Sequence, residues 1–217
     1  MSSYFNNNIK LKVALLFLCA ILAFPSWSAK KVDIYELSLD DNLSQPEIKN
    51  DKVSAIIQDY QYDQAVELIK QSYEVELMRN NEVLIATVPA ERLFANNDTA
   101  LSVSATAALK PFLRFLRNPG FYKLMLVMHS DDTGSPRYQV ALTRARVNAV
   151  YNWFDANESV DFVVPYALGG TEPVNDNNSM TKRRKNRRLE IYIVPCDVML
   201  QQAKTGSVSI NRSNTKR

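Results

Sequence analysis

Between Lys123 and Val147 the sequence passes from an apolar run to a polar loop and then into a capped helix. Leu124-Met-Leu-Val-Met128 has no polar residue, the pattern of a strand covered on both faces. His129 to Ser135 is polar and holds Gly134, so the chain turns there. Ser135-Pro136 begins a helix: the Ser oxygen caps free N–H groups, and Pro at the first helical position has its φ already set. Tyr138, Leu142 and Arg146 then fall at i, i+4 and i+8 on one stripe. The loop carboxylate of Asp131 and the guanidinium of Arg146 are thereby brought near one strand's end, where ligands often sit in α/β layers.

The flanking sequence supplies the other elements. Lys30–Asn50 is charged and without a clear period, and reads as a linker with one short strand near Val32–Leu39. Val53, Ile56, Ile57 and Tyr60 follow helical spacing, which Val66 and Ile69 extend across a break expected at Gln61–Asp63. Tyr73–Arg79 and Glu82–Val88 flank Asn80-Asn81, two residues tolerant of positive φ, and predict a β-hairpin. Ser104–Leu116 reads as a helix in which Pro111 is an anomaly, since an interior proline removes a hydrogen bond. The helix that starts at Pro136 continues to about Asp155. Phe162–Val164 is a third core strand interrupted by Pro165, Gly169-Gly170 a turn, and Arg188–Val194 a half-buried strand by its alternation. Residues 197–217, rich in Ser, Asn, Thr, Lys and Arg, read as a disordered, mildly basic tail. The order β-hairpin, α, β, α, β, short α, β is that of an α/β (α+β) sandwich with helices packed on one mixed sheet.

The first segment has a different character. Lys10 and Lys12 precede the uncharged apolar run Val13–Phe24, and Pro25, Ser26, Ser28 and Ala29 follow, the succession of a signal peptide over residues 1–29. Twelve apolar residues are short for a permanent membrane helix. Without residues 1–29 the formal charge of the 217-residue chain falls from +3 to +1, so no polycation is expected. Cys196 is then the one cysteine, and an exported chain with a single thiol forms no internal disulfide. Residues 30–72 are too few for the eight strands, of ~10 residues each, of a membrane barrel. The apolar segment carries no acidic residue.

At these motifs the sequence resembles a family. His129-Ser-Asp-Asp-Thr-Gly-Ser135 is similar to the G-H-T-D-x-x-G-S loop of OmpA-like peptidoglycan-binding domains, and Tyr138–Arg146 to their Y-N-x-x-L-S-x-x-R run. The fifteen positions from Asp131 to Arg146 equal the family's spacing. Asn177, Arg183 and Asn186-Arg-Arg-Leu-Glu-Ile191 resemble the closing N-x5-R-x-x-N-R-R-V-E-I pattern. The resemblance spans residues 73–196. It implies the same fold, and a ligand-binding set of Asp131, Arg146, Asn97, Thr133, Tyr138, Leu142 and Arg187. Departures are Ala95 for Asp, Met128 for Gly, Gln139 for Asn, Thr143 for Ser, Ala167 for Gly and Val147 for Ala. Of these, a side chain at Met128 would narrow the pocket or reshape the loop.

The diaminopimelate side chain of a peptidoglycan stem peptide carries an ammonium and a carboxylate. Asp131 suits the first and Arg146, as a fork, the second. Loop N–H groups at the helix start can add a contact to a carboxylate. The competing reading is an Asp131–Arg146 salt bridge that holds no ligand, and the family resemblance places binding ahead of it. His129, the only histidine, has no identifiable nucleophile partner or metal spacing, so neither catalysis, cofactor nor metal is expected. Lys182–Arg188 places six cations in seven positions, which an export signal and the family motif turn from a nucleic-acid patch into a solvated helix face. The expectation is an exported, non-enzymatic peptidoglycan-binding protein of a Gram-negative envelope, in the periplasm at the outer membrane or wall. The alternative is an OmpA-like module that binds or assembles other envelope proteins. The sequence leaves the oligomeric state open.

Overall fold

The computed structural model describes residues 33–208. The signal segment and the last residues of the expected tail lie outside them. Two short antiparallel strands, β1 (Glu74–Met78) and β2 (Val83–Pro89), form the expected hairpin. Its turn uses positive φ at Arg79, Asn80 and Asn81, so the left-handed stretch is one residue longer than the Asn pair. With β3 (Tyr122–His129), β4 (Val163–Gly169) and β5 (Arg188–Pro195) they make a mixed sheet in the order β1-β2-β5-β3-β4. Only β3 and β4 run parallel, and their connection carries the long helix that parallel pairing requires. Pro165 lies inside β4 and does not interrupt it. β4 is an edge strand, so a missing N–H can face away from the ladder.

All eight residues of β3 are buried, as its apolar run predicts. Leu124, Leu126 and Met128 face one core, and Met125 and Val127 the opposite one. The larger core lies under α2 (Asp51–Lys70), α3 (Ala105–Leu109), α4 (Pro136–Asp155) and α6 (Asp197–Thr205). α2 runs unbroken through Gln61 because that amide is satisfied: its Nε2 donates to the carbonyls of Glu82 (2.8 Å) and Ile193 (3.0 Å). Pro111 ends α3 early, and residues 110–115 continue as a 3-10 turn.

Two segments differ from expectation. No strand forms near Val32–Leu39 among the described residues; Leu39–Ser44 is instead a helix, α1, laid over the second face of the sheet. Its acids are first-turn residues; the Ser38 hydroxyl caps the helix by accepting from the Asp41 N–H (3.1 Å) and donates to the Asp41 carboxylate (2.7 Å). Asn42 is fully buried there: it donates to the Ile34 carbonyl (2.7 Å) and the Tyr166 hydroxyl (2.6 Å). The buried ammonium of Lys123 donates to the carbonyl (2.6 Å) and side-chain oxygen (2.8 Å) of Asn42. The expected disordered tail is likewise corrected over residues 197–205. α6 buries Met199, Leu200 and Ala203, a helical spacing that the polar composition around it masks.

Candidate functional site

The loop after β3 and the start of α4 form one wall of a cleft of about 250 Å³. Ser135 caps α4 through the Tyr138 N–H (3.3 Å), and Gly134, at φ 83°, turns the chain into it. All seven sequence-predicted site residues line this cleft: Asn97, Asp131, Thr133, Tyr138, Leu142, Arg146 and Arg187. Met180, from α5 (Met180–Asn186), lies at its rim and is 71% exposed. Met128 is absent from the lining. Its side chain points into the main core, so it does not narrow the cleft as the sequence alone implied.

Asp131 and Arg146 do not bond each other. Asp131 is buried, accepts from the Thr133 N–H (3.0 Å), and pairs with Arg187 of the closing motif. Burial pushes its carboxyl up, but the Arg187 guanidinium and the Thr133 bonds outweigh this and hold it below the usual range. Arg146 is also buried, and its acceptors are main-chain oxygens: Asp98 (2.9 Å) and Ala95 (3.4 Å). Its guanidinium lies 5.0 Å from the centre of the Phe94 ring. Burial lowers its pKa. Asn97, at φ 57°, makes the turn that presents those carbonyls. The cleft lining therefore holds two acids already paired, Asp131 with Arg187 and Glu91 with Arg184, and one cation, Arg146, that forms no ion pair among the described residues.

The rest of the closing motif builds the support. Asn186 is fully buried, accepts from the Asn175 N–H (2.9 Å), and donates to Asn175 O (2.8 Å) and Asn177 Oδ1 (2.8 Å). This fixes the loop before α5 and with it Arg187. Gly170 allows the neighbouring turn to close: a Cβ there would lie 2.8 Å from the Asp131 carbonyl oxygen. In the basic run, Lys182 pairs with Asp176 (3.1 Å), Arg183 with Asp132 (3.0 Å), Arg184 with Glu91 and Arg188 with Glu190 (2.7 Å). His129 lies on the other side of the sheet and bonds Glu190 through Nε2 at 3.2 Å. Among the described residues no cluster of His, Cys, Asp or Glu is arranged to hold a metal ion, and no helix is long and apolar enough to cross a membrane. The Arg187 pairing and the carbonyls behind Arg146 escape sequence reasoning, because the partners lie 48 to 56 positions apart.

Fold and cleft together define a small α/β domain with a polar cleft at one end of its sheet. Residues 93–187 match the model of the OmpA family, so the chain carries an OmpA-like domain. No curated protein matches. Among solved structures, a MotB-like protein from Desulfovibrio vulgaris superimposes with a TM-score of 0.58 at 18% identity, covering 65% of this chain and 94% of that one. The periplasmic domain of Helicobacter pylori MotB gives 0.51 at 18%, covering 61% and 88%. The cell wall anchor of the T6SS from Pseudomonas aeruginosa gives 0.50 at 23%, covering 64% and 96%. At these identities the likeness is one of fold.

Proposed function

We propose that this chain is an exported, non-enzymatic protein that binds diaminopimelate-type peptidoglycan and tethers the envelope of a Gram-negative cell. Arg146 forks onto the side-chain carboxylate of the stem peptide, and Asp131 accepts from its ammonium. The observation that carries this reading is a buried Arg146 on a cleft wall that forms no ion pair among the described residues. A cation so placed gains from an anion the chain does not supply. Asp131, bonded to Arg187, keeps free lone pairs for an ammonium. Thr133, Tyr138, Leu142 and Asn97 complete the enclosure. The OmpA family match supports the same reading, and the paired state of the basic run supports a partner other than nucleic acid.

The test is calorimetric titration with diaminopimelate and pull-down with purified sacculi. Asp131→Asn and Arg146→Ala should each cost about 2–5 kcal/mol, the usual loss when a buried charged partner is left unpaired, or roughly 30-fold or more at ~1.4 kcal/mol per decade. Asp132→Asn, which removes an exposed ion pair with Arg183, should change affinity little. Unchanged binding by both variants rejects the site. Failure of the wild type to bind sacculi leaves the domain as an interaction or assembly module for envelope proteins.

A further inference from the structure

A second cleft, of about 300 Å³, opens at the other end of β3, between α2, the 110–115 turn and α6. Tyr122 lines it, while Ser130 lines the first cleft. At ~3.3 Å per strand residue the two are roughly 25 Å apart.

Its central group is Arg114. The Nη2 donates to the Gln64 carbonyl at 3.4 Å, and the guanidinium lies 4.6 Å from the centre of the Phe115 ring. Nε is shut off from solvent without an acceptor. Among the described residues no carboxylate pairs with it; Glu67, whose charge Arg114 feels, is held by Lys70 at 2.7 Å. These are the features of Arg146 repeated: main-chain acceptors, a phenylalanine ring beneath, a pKa lowered by burial, and a cleft in front. The surroundings differ in kind. The side-chain amides of Gln64, Asn118 and Gln202 border the cleft without hydrogen bonds to other described residues. Amides both donate and accept, as peptide groups do. Tyr60 and Phe121 pack edge to face beside them and offer an apolar wall.

We propose that this second cleft binds a carboxylate-bearing peptide, Arg114 taking the carboxylate and the amides of Gln64, Asn118 and Gln202 the adjoining peptide groups. A guanidinium that is partly desolvated and unpaired gains most from a charge-assisted bond. The volume, at the low end for ligand sites, admits a short segment only. One domain would then grip ligands at both ends of its central strand.

The experiment uses the full chain labelled with 15N, titrated separately with acetyl-Gly-Glu, acetyl-Gly-Gln and inorganic phosphate, both peptides carrying a C-terminal amide so that only the first has a carboxylate. Acetyl-Gly-Glu should shift the side-chain amide signals of Gln64, Asn118 and Gln202 saturably. Arg114→Gln should weaken binding about tenfold or more, as expected for a hydrogen bond to a charged group. Gln202→Ala, on the solvent side, should weaken it about threefold. The proposal is overturned by the absence of saturable shifts. It is equally overturned if acetyl-Gly-Gln or phosphate binds as tightly as acetyl-Gly-Glu, or if a folded Arg114→Gln binds like the wild type. Should Arg114→Gln not fold, wild-type affinity in an Asn118→Ala, Gln202→Ala double variant overturns it instead.

Discussion

Glu190 accepts hydrogen bonds from three directions: His129 Nε2 (3.2 Å), Arg188 Nε (2.7 Å) and the Tyr192 hydroxyl (2.7 Å). Burial alone would raise its carboxyl, but His129, Arg188 and Tyr192 bring it from 4.5 down to about 2. A carboxyl depressed on folding stabilises fully above its unfolded value and loses that contribution as pH falls through its folded value. Stability should therefore decline from about pH 4.5 towards pH 2, by on the order of 3 kcal/mol from this group. Urea unfolding across that range measures it, and Glu190→Gln should flatten the dependence. Residues of this kind show why sequence legibility is uneven. The Asp131 loop and the Arg146 stripe are local patterns. Arg188 and Tyr192 reach Glu190 from two positions away on β5, but the His129 bond, like the Arg187 partner of Asp131, exists only after distant segments come together.

Elements were legible where a period or a cap stood alone. The β3 run, the Ser135-Pro136 start of α4 and the Asn-rich hairpin turn each carry their own signal within a few residues, and each appears as read. α1 and α6 did not, because their polar residues suggest solvent until a sheet face is present to receive the apolar ones. Pro165 reads as an interruption until β4 is known to be an edge. The turn after β4 yields a prediction at this scale. Gly170→Ala puts a Cβ 2.8 Å from the main-chain oxygen of Asp131, and that oxygen is not a flexible side-chain tip. The loop must shift, at a cost of about 1–3 kcal/mol. Thermal unfolding should show the loss, and calorimetry with diaminopimelate a weaker affinity, although residue 170 does not line the cleft.

For the molecule as a whole, the seven residues expected to bind ligand line one cleft although Asn97 and Arg187 lie on separate segments far from the Asp131 loop, and the family motif was the signal that linked them. The basic run is balanced by acids from α5's own approach loop, the Asp131 loop and Glu91. Arg184→Gln with Lys185→Gln should leave sacculus binding largely intact. A filter assay should detect no duplex DNA binding with a steep salt slope; such binding, lost in this variant, would remove the envelope reading. N-terminal sequencing of protein from a periplasmic fraction should begin near Ala29 or Lys30, whereas a start at Met1 would indicate a retained anchor.

Lys123, the second residue of β3, grips the 33–45 segment through Asn42, while Asp131 follows the strand's other end. Tension applied between a ligand held at Asp131 and that segment would run lengthwise along β3. The strand is hydrogen-bonded to β5 on one side and β4 on the other. A pull on the two ends of one strand is borne by its covalent backbone, so the Lys123–Asn42 bonds yield before either ladder does. A pull across the strands would peel them one by one.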